Sequence, residues 1–446
     1  MDAKVIGLYA IDEPILLVRD PDIIKSILVK DFNSFTDRGV YIDKREPTAG
    51  HLWKLPGKKW RPLRSKMSTC FSIGKLKMMF SNLLKVGKEM EINLNEECKK
   101  KQPIDVGDLS QRFTVDVVAS SIFGIEVNSF IEKKNQYFLM EEDLVKSDSR
   151  LRMIKAALQI IVPNFFDIFS FIKFETVKKS CLGFVYEMVR TVIEFREKTG
   201  TVRNDMMQLL IQLKNFGKVT EAEDEKSEKG GKEICLTMEE LVAQAYTYFF
   251  VGSETSSTAI TMLLYECALN EKIQRLLQND IDEAMNKSNG DITYESILEM
   301  KYLEMVIYET LRKYPVLGFL QRKSVEDYII PQLGVQIEKG TRLYFSIEGL
   351  HMDPKYFPEP DKFDPERFSK ENQTKIHPCS YLAFGDGPRN CIGKRLGYFM
   401  VAIGVIYVFK NFNVSVCEKT EIPVAINPLA YTIKPINSVY LKIAPR

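Results

Sequence analysis

A single cysteine lies in a glycine-rich turn, in the stretch FGDGPRNCIG from Phe384 to Gly393. Cys391 precedes a long apolar stretch, which predicts a helix beginning near Ile392. The glycines on its N-terminal side allow a tight turn whose amide groups point at the sulfur. A cysteine at a helix N-terminus is favoured as a thiolate, and a thiolate is a ligand for haem iron. A buried structural cysteine is the alternative, but it does not explain the spacing of the phenylalanine, the arginine and the flanking glycines.

The stretch resembles the haem-binding signature of the cytochrome P450 family, Phe-x-x-Gly-x-Arg-x-Cys-x-Gly. Its fixed positions are occupied by Phe384, Gly387, Arg389, Cys391 and Gly393. The resemblance implies that Cys391 is the axial ligand of the iron and that Arg389 pairs with a haem propionate. It also implies that Phe384 lies against the ring near the sulfur, while Gly393 leaves room for the flat macrocycle.

A second pattern lies within a very long predicted helix. Thr237 and Glu240 form a capping box that predicts its start, and the periodicity continues to about Leu269. In its middle is the sequence VGSETSS, and Gly252 there costs about 1 kcal/mol relative to alanine in a helix interior. Small polar residues that ease helix packing explain this pattern when it is considered alone.

VGSETSS also resembles the oxygen-activation motif of the same family. The resemblance implies that Gly252, Glu254 and Thr255 are catalytic, with Thr255 hydrogen-bonding the oxygen and Glu254 relaying protons with water. Val251 stands where the family usually has alanine or glycine, so its side chain is expected to narrow the space above the haem. The positions assigned to the substrate pocket are Thr247, Phe250, Val251, Val316, Leu317 and Leu429.

Three charged residues precede the cysteine turn. Glu309 and Arg312 are three residues apart and lie on one helix face. This spacing usually gives a surface ion pair that contributes little to stability. Arg367 follows in a proline-rich stretch, 353–368. The family's ExxR motif and the arginine of its meander imply that these three residues form a buried network that supports haem incorporation without taking part in the chemistry.

Further basic and aromatic residues are assigned to the haem edge by the resemblance. Trp60 and Arg64 match a Trp-x-x-x-Arg pattern in which the indole and the guanidinium both reach a propionate. Arg322 matches another propionate arginine. His51, upstream of Trp60, is predicted to be a hydrogen-bonding residue rather than an iron ligand.

The elements that position these residues are mostly helical. Helical periodicity dominates from about 58 to 313, and a shorter helix is predicted from Pro21 to near Lys30. The mixed-charge stretch 221–232 is predicted to be a solvated loop. Strands are predicted at 5–9, 15–18, 316–325, 334–337, 342–347, 412–416 and 439–443. We expect one small mixed sheet against a large helical body, hence a mainly α protein with a smaller mixed β-sheet region (α+β). The resemblance implies the cytochrome P450 fold as a single domain, 1–446, with haem between two long helices.

Composition narrows the function classes. The formal net charge of +2 argues against nucleic-acid binding. Eight scattered cysteines without a C-x-x-C pair and only three histidines argue against a zinc site or a disulfide framework, and fit reducing surroundings. The longest apolar run, Tyr398 to Phe409, is too short to span a membrane, and acidic residues near the start argue against a signal peptide.

The resemblance covers essentially the whole chain and is strongest to the insect microsomal branch that oxidises plant toxins and insecticides. Members of that branch begin with a membrane anchor, a hinge and a first helix, so we expect this chain to lack the anchor and that helix. The aromatic stretch from Phe165 to Phe174 is either a core helix or the lip of a substrate channel at the membrane surface, and both interpretations stay open.

The resemblance implies a haem-thiolate monooxygenase with haem b as cofactor and a lipophilic substrate. Electrons would come from NADPH through cytochrome P450 reductase, docking near Lys394 and Arg395, with cytochrome b5 as a further donor. The expected location is the cytoplasmic face of the endoplasmic reticulum membrane. One alternative is a reductase-independent isomerase or dehydratase of the same fold, against which Glu254 and Thr255 argue. The other is a non-catalytic haem-binding fragment.

Overall fold

The structure, a computed structural model, describes residues 3–10, 13–42, 50–145, 179–218, 235–427 and 432–446. The aromatic stretch 165–174, the mixed-charge stretch 221–232 and the pocket position Leu429 lie outside these residues, so what was expected of them stays a prediction. The described chain is mainly helical, with strands in three small sheets. The predicted class, mainly α with a smaller mixed β-sheet region, is confirmed.

Helices form the body of the described chain. The α-helices are α1 (Pro21–Lys25), α2 (Gly57–Thr69), α3 (Ile73–Lys99), α4 (Val106–Val118), α5 (Gln136–Val145), α6 (Lys179–Thr199), α7 (Met206–Phe216), α8 (Met238–Leu269), α9 (Glu271–Lys287), α10 (Tyr294–Glu299), α11 (Lys301–Lys313), α12 (Ile347–His351), α13 (Lys370–Gln373) and α14 (Lys394–Phe409). A π-helical turn, Ser26–Lys30, extends α1 to the predicted end, and another, Ala119–Phe123, extends α4.

The long helix α8 has the boundaries that its capping box predicts. The main-chain nitrogen of Glu240 donates to Oγ1 of Thr237 at 3.2 Å, and the nitrogen of Thr237 donates back to the Glu240 carboxylate at 3.1 Å. These two bonds satisfy donors that would otherwise be unpaired at the helix start. The helix then continues for 32 residues to Leu269.

A glycine sets the distance between α14 and its neighbours. A Cβ atom on Gly404 would lie 2.8 Å from Cδ1 of Ile260 in α8 and 3.0 Å from Cε1 of Phe113 in α4. Contacts this short leave no room for a larger side chain, so α14 lies directly against both helices. Because α14 follows the cysteine turn, this packing also fixes that turn relative to α8.

The strands are short and come from distant parts of the chain. They are β1 (Val5–Ala10), β2 (Glu13–Val18), β3 (Ile104–Asp105), β4 (Phe319–Lys323), β5 (Tyr328–Ile330), β6 (Val335–Ile337), β7 (Arg342–Ser346), β8 (Phe412–Ser415) and β9 (Tyr440–Pro445). One sheet has the order β1-β2-β7-β4, with β2 and β7 parallel and the other pairs antiparallel. A second has the order β3-β9-β8, and β5 pairs with β6 as a hairpin.

The prediction of one mixed sheet is therefore wrong. The N-terminal strands do join the strands after residue 315, since Ile15 lies opposite Arg342. The C-terminal strand instead pairs with β3, where Ile104 lies opposite Leu441. β3 is only two residues long and lies within a stretch whose pattern is helical, so the sequence carried no signal that the two C-terminal strands form a separate sheet with it.

The predicted strand 316–325 is shorter than expected. β4 begins only at Phe319, because the residues before it are paired elsewhere. The main-chain nitrogen of Ile433 donates to the carbonyl of Val316 at 2.8 Å, and Leu317 forms an isolated bridge with Thr432. Two predicted pocket positions thereby contact the segment that begins at residue 432.

Candidate active site

The cysteine turn has the tight geometry that its glycines predict. Gly385 and Gly387 have φ angles of +67° and +70°, which side chains disfavour. A Cβ atom on Gly387 would lie 1.9 Å from the carbonyl oxygen of Leu28, so only glycine fits there. The main-chain nitrogen of Cys391 donates to the carbonyl of Phe384 at 2.8 Å and closes the turn. The loop is thus held against the end of the Ser26–Lys30 turn.

Cys391 itself lies just outside the following helix. α14 begins at Lys394 and not near Ile392, because Gly393 has a φ of −89° and a ψ of 12° and only caps the helix. Cys391 keeps a solvent-accessible surface, but protein atoms surround it closely. The desolvation that they cause raises the pKa of its thiol. A hydrogen bond from Gly393 and the charges of Arg64, Arg38 and Lys394 oppose that shift without cancelling it. A coordinated metal ion would overcome this shift and hold the sulfur as a thiolate, so the predicted preference for a thiolate stays a prediction.

Two arginines assigned to the haem edge are buried, and no carboxylate of the described residues forms an ion pair with either of them. Arg322 is 1% exposed and donates to the carbonyl of Gln321, whereas Arg389 is 3% exposed and donates to the carbonyls of Leu55 and Trp53. Within the described residues, the Nε atoms of both arginines are buried and lack a hydrogen-bond partner. Burial, and then repulsion from Arg38, lowers the pKa of Arg322 to about 9 and that of Arg389 to about 8.

Trp60 and Arg64 adjoin the same turn. The guanidinium carbon of Arg389 lies 4.5 Å from the ring centre of Trp60. Arg64 donates to the carbonyl of Asn390 at 3.0 Å and to its side-chain oxygen at 2.9 Å, directly beside Cys391. The structure therefore brings Trp60, Arg64, Arg389 and Cys391 together.

This donor set fits haem. Buried guanidinium groups that repel one another and retain unpaired N–H donors are costly unless an anion joins them. A planar guanidinium binds a carboxylate through paired hydrogen bonds, and haem carries two propionates. A lone cysteine in a glycine turn next to this positive cluster matches a thiolate-ligated iron with propionates at its edge. In the part of the chain that the structure describes, no three His, Cys, Asp or Glu side chains form an alternative metal site.

Glu309, Arg312 and Arg367 lie together beneath this region. Neither Glu309 nor Arg312 is exposed, and Nε of Arg312 donates to Oε2 of Glu309 at 2.7 Å. Arg367 lies 3.4 Å from the other carboxylate oxygen of Glu309. Arg312 also donates to the carbonyls of His351 and Pro360, so one guanidinium joins α11, α12 and the proline-rich stretch.

The VGSET segment lies in the middle of α8. Thr255 is half-buried, and its hydroxyl donates to the carbonyl of Val251 at 2.7 Å. Val251 is 47% exposed despite its position in the longest helix, so it faces open space. A Cβ atom on Gly252 would meet Cγ2 of Val118 at 3.4 Å, an ordinary contact. Packing alone does not require glycine at this position.

Glu254 is anchored by residues near the C-terminus. It is 6% exposed, and Thr432 donates its hydroxyl to Oε1 of Glu254 at 2.7 Å. The ammonium group of Lys434 lies 3.6 Å from the same oxygen. Leu317, a predicted pocket position, forms a β-bridge with Thr432. Leu317 and Glu254 therefore both contact Thr432. Sequence reasoning missed Thr432 and Lys434, since nothing local marks a contact 178 residues away.

The comparison with protein families decides the identity of the chain. Residues 3–442 match the family model described as Cytochrome P450. The chain belongs to the cytochrome P450 family. Its activity class is that of a haem-dependent monooxygenase, and iron in haem is the cofactor that goes with this class.

Curated relatives of this cytochrome P450 come from insects. Cytochrome P450 6j1 of Blattella germanica is 36% identical and matches 98% of this chain and 84% of its own length. Cytochrome P450 6a2 of Drosophila melanogaster is 36% identical over 98% of this chain and 86% of its own. Cytochrome P450 6d1 of Musca domestica is 34% identical over 99% and 87%. The predicted likeness to insect members of the family is thereby confirmed.

The described helices of this cytochrome P450 do not include a membrane span. In the described ranges, none combines the length and the apolar character that crossing a bilayer requires. All eight cysteines are free in the structure.

The remaining predicted positions are placed as follows. Thr247 is half-buried and donates its hydroxyl to the carbonyl of Ala243 at 2.9 Å, and Phe250 stacks on Tyr246 at 6.4 Å. Val316 is buried. His51 stacks on Trp53, and its buried Nδ1 has no hydrogen-bond partner among the described residues, so its predicted hydrogen-bonding role stays a prediction. Burial holds the pKa of His51 well below its usual value, so the ring is neutral.

Proposed function

We propose that this cytochrome P450 inserts one oxygen atom from O2 into a lipophilic substrate, with electrons that originate from NADPH. The observation that carries the proposal is the pair Glu254 and Thr255 on α8, the helix against which α14 and the cysteine turn are packed. A neighbouring acid and hydroxyl suit proton delivery during oxygen activation. An isomerase or dehydratase acting on a peroxide has no need of such delivery, so the pair favours a monooxygenase.

The haem would be held at two places. Cys391 would bind the iron through Sγ, while Arg322 and Arg389, with Trp60 and Arg64 beside them, would bind the propionates. When bound, a thiolate-ligated haem supplies the activation of dioxygen, because the thiolate donates electron density that favours cleavage of the O–O bond. The buried arginines lose their mutual repulsion once the propionates lie between them.

Proton handling would belong to the chain's own side chains. Thr432 and Lys434 hold one oxygen of Glu254 in a defined position, so that the acid stays next to Thr255 along the helix. The hydroxyl of Thr255 already donates to a helix carbonyl, and rotation about its side-chain bond redirects that donor. The two groups together would pass protons inward from Glu254 to Thr255.

The substrate class follows from the positions assigned to the pocket. Phe250, Val251, Val316 and Leu317 are all apolar, and apolar lining with few polar groups binds lipophilic molecules. The exposed side chain of Val251 would occupy space above the haem and favour smaller or flatter substrates. Plant toxins and insecticides are the lipophilic compounds that the likeness to the insect branch implies.

The electron donor would be cytochrome P450 reductase, with cytochrome b5 as a further donor. Lys394 and Arg395 are exposed at the start of α14, close to Cys391, and Lys394 lies 5.4 Å from the ring centre of Phe384. Exposed basic residues beside the iron ligand suit an acidic partner surface. The proposed location, the cytoplasmic face of the endoplasmic reticulum membrane, follows from the microsomal branch that the sequence resembles.

The test is a reconstitution with reductase, NADPH and isotopically labelled dioxygen. We expect product that carries one labelled oxygen atom and forms only when NADPH is present. Lys394→Glu combined with Arg395→Glu should slow electron transfer from the reductase, whereas Lys339→Glu, an exposed change in the turn after β6, should not. Rearrangement of a hydroperoxide without NADPH and without labelled oxygen would contradict the proposal and favour the isomerase class.

A further inference from the structure

A second buried carboxyl group lies beside the VGSET segment. Glu141, on α5, is 1% exposed. Its Oε1 accepts a hydrogen bond from the hydroxyl of Ser253 at 3.3 Å, and its Oε2 accepts one from the side-chain amide of Gln111 on α4. Both partners are neutral, so within the described residues this carboxyl group has hydrogen bonds but no ion pair.

Ser253 connects this carboxyl group to α8. It is fully buried, directly precedes Glu254 in the sequence, and its hydroxyl lies 3.3 Å from that of Thr114 on α4. Glu141 is therefore attached, through one hydroxyl, to the helix segment that carries the proposed acid and alcohol. Three helices, α4, α5 and α8, meet at this polar cluster inside an otherwise apolar core.

The charges around Glu141 disfavour its ionised form. Burial is the largest cause and the charge of Glu254 the second; together they raise the pKa of Glu141 to about 8. The hydrogen bond from Ser253 and the charge of Lys434 act in the opposite direction, and Glu142, its neighbour on α5, adds to the increase. At neutral pH Glu141 is therefore a protonated acid close enough to Glu254 to respond to its charge.

Structure alone does not account for a carboxyl group here. A glutamine would accept the bond from Ser253 through its oxygen and, with the Gln111 amide turned over, donate to Gln111, so both contacts would be satisfied without the cost of burying an ionisable group. Unlike a glutamine, a protonated carboxylic acid at this position has a proton that it can release.

We propose that Glu141 is a supporting proton donor that returns a proton to Glu254 after each transfer to the oxygen site. This role rests on the proposed monooxygenase function. The Ser253 hydroxyl turns so that it accepts from Glu141. The O–H bond of Glu141 then breaks as Ser253 takes that proton and releases its own hydroxyl proton, which passes through water, and an O–H bond forms on Glu254. Glu141 then regains a proton from solvent, so that no electrons and no further reactant are involved.

The first measurement is independent of turnover. Because Asp116 also holds a proton up to about pH 7, the spectra are compared in an Asp116→Asn background. Infrared spectra of this haem-loaded protein should show the carbonyl band of a protonated carboxylic acid, and that band should disappear as pH rises through about 8. Glu141→Gln should remove it. Glu89→Gln, which alters a carboxyl group of raised pKa on α3, should leave it unchanged. Persistence of the titrating band in Glu141→Gln would overturn the assignment.

The second measurement is the share of NADPH electrons recovered in product, followed from pH 6 to 9. In the native protein this share should fall as pH rises through about 8. In Glu141→Gln it should be roughly tenfold lower at neutral pH and nearly independent of pH. Glu141→Asp should restore the pH dependence, and Ser253→Ala, which keeps both acids, should lower the share as Glu141→Gln does.

The two proposals fail in different ways. Normal coupling with an unchanged pH profile in Glu141→Gln would overturn the proton-donor role and leave the monooxygenase intact. Absence of oxygen insertion in the native protein would overturn the proposed function. The visible spectrum and the melting temperature of each variant check that its haem and fold are retained.

Discussion

Glu309 and Asp364 are joined by a hydrogen bond of 2.8 Å from the main-chain nitrogen of Asp364 to the Glu309 carboxylate, although 55 residues separate them in the sequence. The same carboxylate pairs with Arg312, which holds two further carbonyls. One buried side chain thus fixes the proline-rich stretch that leads to the cysteine turn. We therefore predict that the ion pair supports the haem site from a distance.

Glu309→Gln tests this relationship. The change leaves Arg312 charged and buried without its partner, which typically destabilises a protein by about 3–5 kcal/mol. We expect that loss in the free energy of unfolding, together with little haem in the purified protein. Glu304→Gln is the matched control, because Glu304 pairs with Lys301 at the same spacing on the same helix but at the surface. Surface pairs contribute at most about 1 kcal/mol. Equal stability of both variants would contradict a structural role for the buried network.

Arg322→Met separates haem binding from stability. Arg322 is fully buried, and its pKa is lowered because burial and Arg38 disfavour its charge. Removing the charge should leave the melting temperature of the haem-free protein equal or higher, while haem is lost several times faster. The measurements are calorimetry of the haem-free form and transfer of haem to an acceptor protein. Arg275→Met, an exposed change on α9, should affect neither quantity. Unchanged haem loss in Arg322→Met would exclude it as a propionate ligand.

Thr255→Ala should uncouple the reaction. Without the hydroxyl, protons reach the oxygen site less efficiently, so more NADPH is consumed per product and hydrogen peroxide accumulates. Thr261→Ala is a suitable control, because the Thr261 hydroxyl makes the same bond to the carbonyl four residues earlier on the same helix. Assays of NADPH, peroxide and product would measure the effect. Coupling equal to that of the native protein would remove Thr255 from the mechanism.

Protonation of Asp116 makes the free energy of unfolding depend on pH, and the direction of that dependence follows from its raised pKa. Burial raises its pKa to about 7 in the folded protein, above the ordinary value of 3.8, while Ser129 donates to both of its oxygens. The folded state therefore binds a proton that the unfolded state releases between about pH 4 and 7. In this window Asp116 lowers stability as pH rises, by at most about 1.4 kcal/mol per pH unit.

Asp116→Asn should remove that contribution. Denaturant unfolding from pH 4 to 7 should show a smaller fall in stability with pH than in the native protein. Asp361→Asn, which changes an exposed carboxylate, should keep the native slope. A native slope in Asp116→Asn would show that Asp116 is ionised in the fold throughout this range.

Local signals explain what could be predicted from the sequence. The capping box of Thr237 and Glu240 depends on residues three apart, and it defined the start of α8 correctly. The glycines of the cysteine turn likewise act within ten residues, and both have the positive φ angles that their positions require. Such features depend on neighbouring backbone, so the sequence contains them directly.

Features that depend on distant neighbours could not be predicted. The bond from Thr432 to Glu254 spans 178 residues and that from Ser253 to Glu141 spans 112, with no local pattern at either end. The pairing of Ile104 with Leu441 was missed for the same reason. The thiol of Cys391 shows a related effect, because burial by the whole fold raises its pKa although the hydrogen bond from Gly393 and the nearby charges act in the opposite direction.

The visible spectrum of the reduced protein under carbon monoxide tests the central claim most directly. With Cys391 as the iron ligand, the native protein should show the red-shifted Soret band of a thiolate-ligated complex, and Cys391→Ala should lose it. Cys379→Ala, which removes a neighbouring buried cysteine instead, should keep the band. A red-shifted band that survives Cys391→Ala, or a histidine-like band in the native protein, would contradict the account.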